Sequence, residues 1–287
     1  MKKSLLVTLA LSLVLVAAGC SKTTENTTEE VATEVEDATE AVEEDAAEAE
    51  DTAEADTAEA EAEADTENAA TAEGVMSYAD YVAAAVDTEV CVETYVQAKQ
   101  AWWEDNGVGQ ATFYTQNQDG AFFVYNLPCS QEDYDKLVPG TKIKVTGFKS
   151  EWSGEVEITD ATYEIEGTDT FVADAKDVTD LLGKDELIDY QNQFVSFKGM
   201  TVEAANDAGD AFLYKWDGSG TEGDDLYFNV SLDGNTYTFT VESYLCDKDS
   251  DVYKAVQNLK VGDVVDMEGF LYWYEGVNPH ITSVSVQ

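Results

Sequence analysis

The chain has no arginine, one histidine, three prolines and four cysteines in 287 residues. Affinity for nucleic acid comes largely from cations that neutralise phosphates. Here 15 lysines face 60 acidic residues, a formal net charge of −45, so nucleic acid is a disfavoured partner. A lone histidine, His280, with no cysteine pair beside it gives none of the zinc-ligand spacings, and no metal or cofactor is expected. Nucleophile elbows, phosphate-cradling glycine loops and a serine–histidine pairing are also missing. No catalytic residue is therefore assigned, and the chain reads as a binding protein rather than an enzyme. Carboxylates are too abundant for a chance pair to carry information. The one long apolar run, Leu5 to Val16, is too short to span a bilayer comfortably as a permanent helix.

What is present begins with Lys2-Lys3, that apolar run, and Ala17-Ala-Gly-Cys20, the build of a secretory signal peptide over residues 1–19. Its last four residues resemble the lipobox of bacterial lipoproteins, with Ala17 where leucine is commoner. The resemblance implies cleavage before Cys20 and lipidation of that cysteine, palmitate included. Two or three acyl chains anchor a protein stably, here on the extracytoplasmic face of a bacterial membrane. Residues 20–73 follow as an acidic tether. Between Ser21 and Glu73 lie 21 acidic residues, one lysine and no aromatic side chain. Such a stretch cannot bury a core and reads as a disordered, self-repelling stalk. After it remain 39 acidic residues and 12 lysines, a net of −27 over residues 74–287.

Two segments of that remainder match. Leu137-Val-Pro-Gly-Thr-Lys-Ile-Lys-Val-Thr-Gly-Phe148 aligns with Leu259-Lys-Val-Gly-Asp-Val-Val-Asp-Met-Glu-Gly-Phe270, pairing Gly140 with Gly262 and Gly147 with Gly269. Each reads as a helix end, a glycine turn and a strand, so one β-rich module is duplicated, over residues 74–168 and 169–287. In the first, Ser77 and Ser130 open short capped helices. Strands are read over Val90–Ala101, Gln110–Gln116, Ala121–Tyr125, Lys142–Phe148 and Glu155–Ile165. The alternation of the last puts Val156 and Ile158 inward and Glu155 and Glu157 in solvent. In the second, strands are read at Phe194–Val202, Ala211–Trp216, Leu226–Leu232, Thr236–Val241, Val264–Tyr272 and His280–Val286, with a helix over Ser250–Leu259. Cys91, Cys129 and Cys246 leave an odd number: a Cys91–Cys129 disulfide or buried free thiols both fit, and Val195 takes the place of Cys91 in the second copy.

Three strands, a short helix and two more strands resemble the OB-fold of nucleic-acid-binding domains and extracytoplasmic bacterial lipoproteins. The fold class is all-β with short helices: two tandem five-stranded OB-fold-like barrels after the disordered segment, a small β-sandwich being the alternative. OB-folds bind oligonucleotides or oligosaccharides on the face of strands two and three and the adjoining loops. Aromatic residues gather where those loops converge, at Trp102, Trp103, Trp152, Tyr272, Trp273 and Tyr274, and these six are the candidate ligand-binding residues. Flat rings stack on sugars or bases, and the acidic field favours a glycan, peptide or protein partner over nucleic acid. The alternatives are an accessory subunit docked on another envelope protein, and surface nucleic-acid capture. The last requires Lys142, Lys144, Lys149, Lys198 and Lys215 on one face. The loop Asp217–Asp225 has oxygen-bearing residues at alternate positions but lacks EF-hand spacing.

Overall fold

A computed structural model describes residues 74–287; the leader, Cys20 and the acidic segment lie outside the described residues. The first half runs α1 (Tyr78–Ala83), β1 (Glu89–Lys99), β2 (Trp103–Asp105), β3 (Val108–Gln116), β4 (Ala121–Pro128), α2 (Gln131–Lys136), β5 (Thr141–Trp152) and β6 (Glu155–Thr170). The second half has β7 (Lys176–Asp177), single-turn helices at Thr179–Leu181 and Asp185–Tyr190, and β8 (Phe194–Glu203). It continues with β9 (Leu213–Tyr214), β10 (Leu226–Leu232), β11 (Asn235–Val241), α3 (Asp251–Gln257), β12 (Val264–Phe270) and β13 (His280–Val286).

The pairings close each half into a barrel. β1 pairs antiparallel with both β3 and β5, β3 with β4, β4 in parallel with β6, and β6 with β5. In the same order β8 pairs with β10 and β12, β10 with β11, β11 in parallel with β13, and β13 with β12. This is the OB-fold order twice, with a helix between the third and fourth strand of each barrel. Alternation supplies the interiors. Val90, Val92 and Val96 of β1 point inward with Phe113, Phe122, Ile143 and Val145; Phe197, Phe228, Phe239 and Met267 fill the second barrel. The repeated glycines mark equivalent places: Gly147 lies opposite Val90 and Gly269 opposite Val195. Val195 is thus the counterpart of Val90 and not of Cys91. Cys91, Cys129 and Cys246 are free thiols.

The serines cap as their spacing implies. Ser77, Ser130 and Ser250 accept hydrogen bonds from the backbone N–H of Asp80, Asp133 and Tyr253, supplying partners to otherwise orphaned helix-start donors. At the far end of α1, the buried Lys149 donates to the carbonyls of Tyr81, Val82 and Ala84 at 3.0, 2.9 and 2.8 Å, a cation where the helix presents unpaired acceptors. Only Leu213–Tyr214 of the stretch Ala211–Trp216 forms a strand. The surrounding loop is organised by side chains instead: Asn206 Oδ1 accepts from the N–H of Ala208 and Asp210, and Asp217 Oδ1 from that of Ser219. Such local bonds offer the backbone an alternative to a ladder.

The barrels are held together by a third apolar cluster, in which Tyr114 and Phe123 of the first meet Phe270 of the second, flanked by Phe194, Leu245 and Tyr272. The Tyr114 and Phe270 rings stack at 4.4 Å, and Tyr114 Oη lies 2.7 Å from His280 Nδ1. Phe194 N–H donates to Gln116 Oε1, Ala101 N–H to Tyr244 O, and Glu275 N–H to Ser153 O. This seam corrects the alternation of β6. Glu155 is fully buried and Glu157 nearly so, because the second barrel covers the face that would otherwise be wet. Trp273 N–H and Gln191 Nε2 donate to Glu155 Oε2 at 2.9 and 3.4 Å. Its Oε1 and the Oδ1 of Asn192 have no partner. Burial raises the Glu155 pKa to about 8.

Candidate binding cleft

Where the seam opens to solvent there is a cleft of about 620 Å³. Its walls are residues that strand alternation turns outward. On β10, Leu226, Phe228 and Val230 point into the core, so Tyr227 and Asn229 point away from it. On β11, Phe239 and Val241 point in while Thr238 and Thr240 face out. The first barrel adds Gln100 from the segment after β1, Trp103 from β2, Phe123, Tyr125 and Asn126 from β4, and Trp152 from the end of β5. The second completes it with Asp225, Tyr227, Thr240, Glu242, Tyr244, Tyr272, Tyr274, Asn278 and His280. A second hollow of about 360 Å³, lined by Trp216, Asn229 and Thr238, shares Tyr227, Tyr274 and Asn278 with the first. The two therefore form one groove along the outer face of β10 and β11.

Four of the six aromatic residues singled out from the sequence, Trp103, Trp152, Tyr272 and Tyr274, line this cleft. Trp152 and Tyr274 pack on each other in its wall, with ring centroids 5.1 Å apart. They come from equivalent turns of the two copies, which face each other here. Trp102 and Trp273 do not line it. Trp102 packs on the first core against Gly109, with Nε1 donating to Cys129 O at 3.0 Å. Trp273 packs on the second core, its ring against Gly154. Adjacent residues on a strand or its extension point to opposite sides, so of each Trp-Trp or Trp-Tyr pair one member turns inward. Tyr125, Tyr227, Tyr244 and Glu242 were not among the sequence candidates. Tyr125 and Tyr227 were legible as aromatic residues at outward positions of strands whose neighbours are core; Tyr244 and Glu242 carry no such signal.

The polar groups of the cleft are held in place. Glu242 is buried, with Oε2 accepting from Leu245 N–H at 2.9 Å and Gln100 Nε2 at 3.2 Å, and Oε1 from Tyr244 N–H at 3.3 Å. Burial first, and the nearby Asp225 carboxylate second, raise its pKa to about 7. Asp225 Oδ1 accepts from Ser243 N–H and Oγ at 2.8 and 2.7 Å. His280 stacks on Tyr272 at 4.2 Å, and burial lowers its pKa to about 3, so it is neutral. Burial raises the Tyr227 phenol to about 12. No lysine lines either hollow. Of the five lysines that a nucleic-acid reading needs on one face, Lys149 is buried under α1, Lys142 pairs with Glu93 and Glu166, and Lys198 with Asp177. Among the described residues no group of His, Cys, Asp and Glu is arranged to hold a metal. In the loop Asp217–Asp225, Asp217, Asp224 and Asp225 turn their oxygens onto Ser219, Thr221 and Ser243.

No known protein family and no curated protein matches the chain. Among solved structures it is similar to a murine DNA-binding protein bound to double-stranded DNA, with a TM-score of 0.33, 10% identity, and 69% of this chain and 94% of that one covered. It is similar also to the Ifi202 HINa domain in complex with a 20-bp double-stranded DNA (TM-score 0.31, 12% identity, 70% and 96% covered). A third is a replication protein A heterotrimer bound to single-stranded DNA (0.30, 12%, 69% and 49%). At these TM-scores the OB-fold assignment rests on the strand pairings themselves.

Proposed function

We propose that the protein is a non-catalytic binding protein whose ligand is a glycan, held in the groove between the barrels and along β10–β11. The observation that carries this reading is the composition of the cleft: Trp103, Tyr125, Trp152, Tyr227, Tyr244, Tyr272 and Tyr274 with Gln100, Asn126, Asn278, Asp225 and Glu242, and no lysine. Aromatic faces stack on the apolar faces of pyranose rings, while amides and carboxylates accept from their hydroxyls. Sites for small ligands are concave, largely apolar, and carry a few fixed polar groups. The absence of a lining cation argues against phosphate-rich ligands, since those derive their affinity from cation contacts. The groove extends past Tyr227 to Trp216, which suits a chain of sugars rather than a single ring.

In this reading the leader is removed by cleavage before Cys20, whose acyl chains hold the protein at the outer face of a membrane, with the acidic segment as the stalk that carries the barrels away from it. The test is binding of oligosaccharides to the purified protein, followed by tryptophan fluorescence and calorimetry. Trp152→Ala and Tyr274→Ala are each expected to weaken binding by roughly 5- to 150-fold while leaving the melting temperature nearly unchanged, taking a sugar on one ring to be held as strongly as a stacked base, about 1–3 kcal/mol. Unchanged affinity in both variants overturns the assignment to this cleft.

A further inference from the structure

Both ionisable acidic side chains of the cleft lack a counter-ion. Asp225 lies close enough to Glu242 to make it harder to ionise, and neither has a lysine within ion-pair distance among the described residues. The three donors to Glu242 and the two to Asp225 are neutral backbone or side-chain groups. Asp225 uses only Oδ1 in these bonds; its Oδ2 accepts nothing among the described residues. The rings around the pair have negative π-faces, which attract an ammonium group within about 6 Å. The residues 74–287 as a whole carry a net −27, which concentrates cations at a cleft lined with one sign of charge.

We propose that the cleft selects a cationic glycan, an oligosaccharide of amino sugars with free ammonium groups, one of which docks between Asp225 Oδ2 and the aromatic wall. This rests on the glycan reading above and adds the charge of the ligand to it. A neutral sugar finds the same stacking surface but brings the two acidic side chains no counter-ion. An ammonium supplies the missing partner and makes a charge-assisted hydrogen bond, roughly twice as strong as a neutral one.

The test compares a glucosamine oligomer with the N-acetylglucosamine oligomer of equal length, using calorimetry on the full chain at one ionic strength. The free-amine oligomer is expected to bind at least tenfold more tightly. Asp225→Asn keeps an oxygen acceptor for Ser243 and is expected to remove most of that advantage, weakening the free-amine oligomer far more than the N-acetylated one. Glu242→Gln serves as the second variant and is expected to act in the same direction. Asp233→Asn, in the turn at the far end of β10 and already at a φ of 52°, is expected to change neither affinity. Equal or tighter binding of the N-acetylated oligomer overturns the charge preference and leaves the glycan reading standing. A loss in Asp233→Asn as large as in Asp225→Asn overturns it also, by assigning the preference to overall charge. Binding of neither oligomer overturns both readings.

Discussion

The outer face of β3–β4 in the first barrel and the outer face of β10–β11 in the second are the same place in the same fold, and the molecule uses them oppositely. On the first, Tyr114 and Phe123 are buried against Phe270. On the second, Tyr227, Asn229, Thr238 and Thr240 are left to line an open groove. Covering the first face costs the protein one possible binding site. It returns a rigid wall: Phe123, Tyr125 and Trp152 of the first barrel stand over the groove of the second. A single barrel has a shallow face, and two barrels docked off-centre have a cleft. The duplicated motif itself shows the asymmetry. Phe148 is 43% exposed while its counterpart Phe270 is 3% exposed.

The comparison breaks most forcefully at Tyr114. Truncation to alanine removes a fully buried tyrosine ring from the seam and leaves the buried His280 without its 2.7 Å partner. Large aromatic-to-alanine changes in cores cost about 3–5 kcal/mol, and an orphaned buried polar group adds to that. Tyr114→Ala is therefore expected to lower the unfolding free energy by about 4 kcal/mol in urea and to abolish glycan binding. Tyr227→Ala, on the corresponding face of the second barrel, is expected to cost less of that stability and still weaken binding by roughly 5- to 150-fold, the loss of one stacking ring. Similar stability losses in the two variants would mean that the faces are not used differently.

How far the sequence disclosed this can be read from particular residues. The repeat of Gly140-to-Phe148 in Gly262-to-Phe270 disclosed two copies, because a glycine turn followed by a strand constrains residue type at fixed spacing. Alternation disclosed the barrel interiors, since core positions recur every second residue. It failed at Glu155 and Glu157. A period of two assigns a residue to one face or the other, but does not say whether the second face meets water or another barrel. The same gap separates Trp103 and Trp152, which line the cleft, from Trp102 and Trp273, which pack on the cores. All four are tryptophans near the same loops, and only the pleat direction at each distinguishes them. Glu242 was illegible among 39 carboxylates; its burial and its neighbour Asp225 single it out.

The buried carboxylate gives the next effect. Glu155 has a folded pKa raised from 4.5 to about 8 by burial. The folded state thus holds its proton more tightly than the unfolded chain does. The stabilisation from that proton is complete below about pH 4.5 and is lost as pH rises to about 8. Unfolding free energy is expected to fall by on the order of 3 kcal/mol between pH 5 and pH 8 through this group. Glutamine at this position cannot ionise, and its amide hydrogens supply a donor for the unpartnered Asn192 Oδ1. Glu155→Gln is therefore expected to melt higher than the parent at pH 8 and to flatten the slope, measured by thermal unfolding across that range. An unchanged slope would place the pH sensitivity of the seam elsewhere. Glu242, at the end of β11 in the groove, has a pKa raised to about 7 and is expected to contribute a smaller slope of the same sign, which remains in Glu155→Gln.

The smallest effect sharpens the comparison at its two equivalent glycines. Neither Gly147 nor Gly269 needs a left-handed backbone, so each is a glycine for want of space. A methyl group at Gly147 would meet Ile158 Cγ2 and Thr159 O, both at 2.8 Å; at Gly269 it would meet His280 O at 2.2 Å and Ile281 Cα at 2.7 Å. At both positions a strand backbone must give way, β6 at Thr159 O and β13 at His280 O, and the closer approach at Gly269 asks for the larger shift. Overpacking costs about 1–3 kcal/mol, and Gly269→Ala is expected at the upper end of that range with Gly147→Ala near the lower. The two also differ in consequence. Displacing His280 disturbs its bond to Tyr114 and the wall it shares with Tyr272, so Gly269→Ala is expected to weaken glycan binding as well as stability. Displacing Ile158 works inside the first barrel, away from the groove, and Gly147→Ala is expected to leave affinity within about twofold of the parent. Equal losses of affinity in the two would show that the first barrel's interior, and not only its docked face, sets the shape of the cleft.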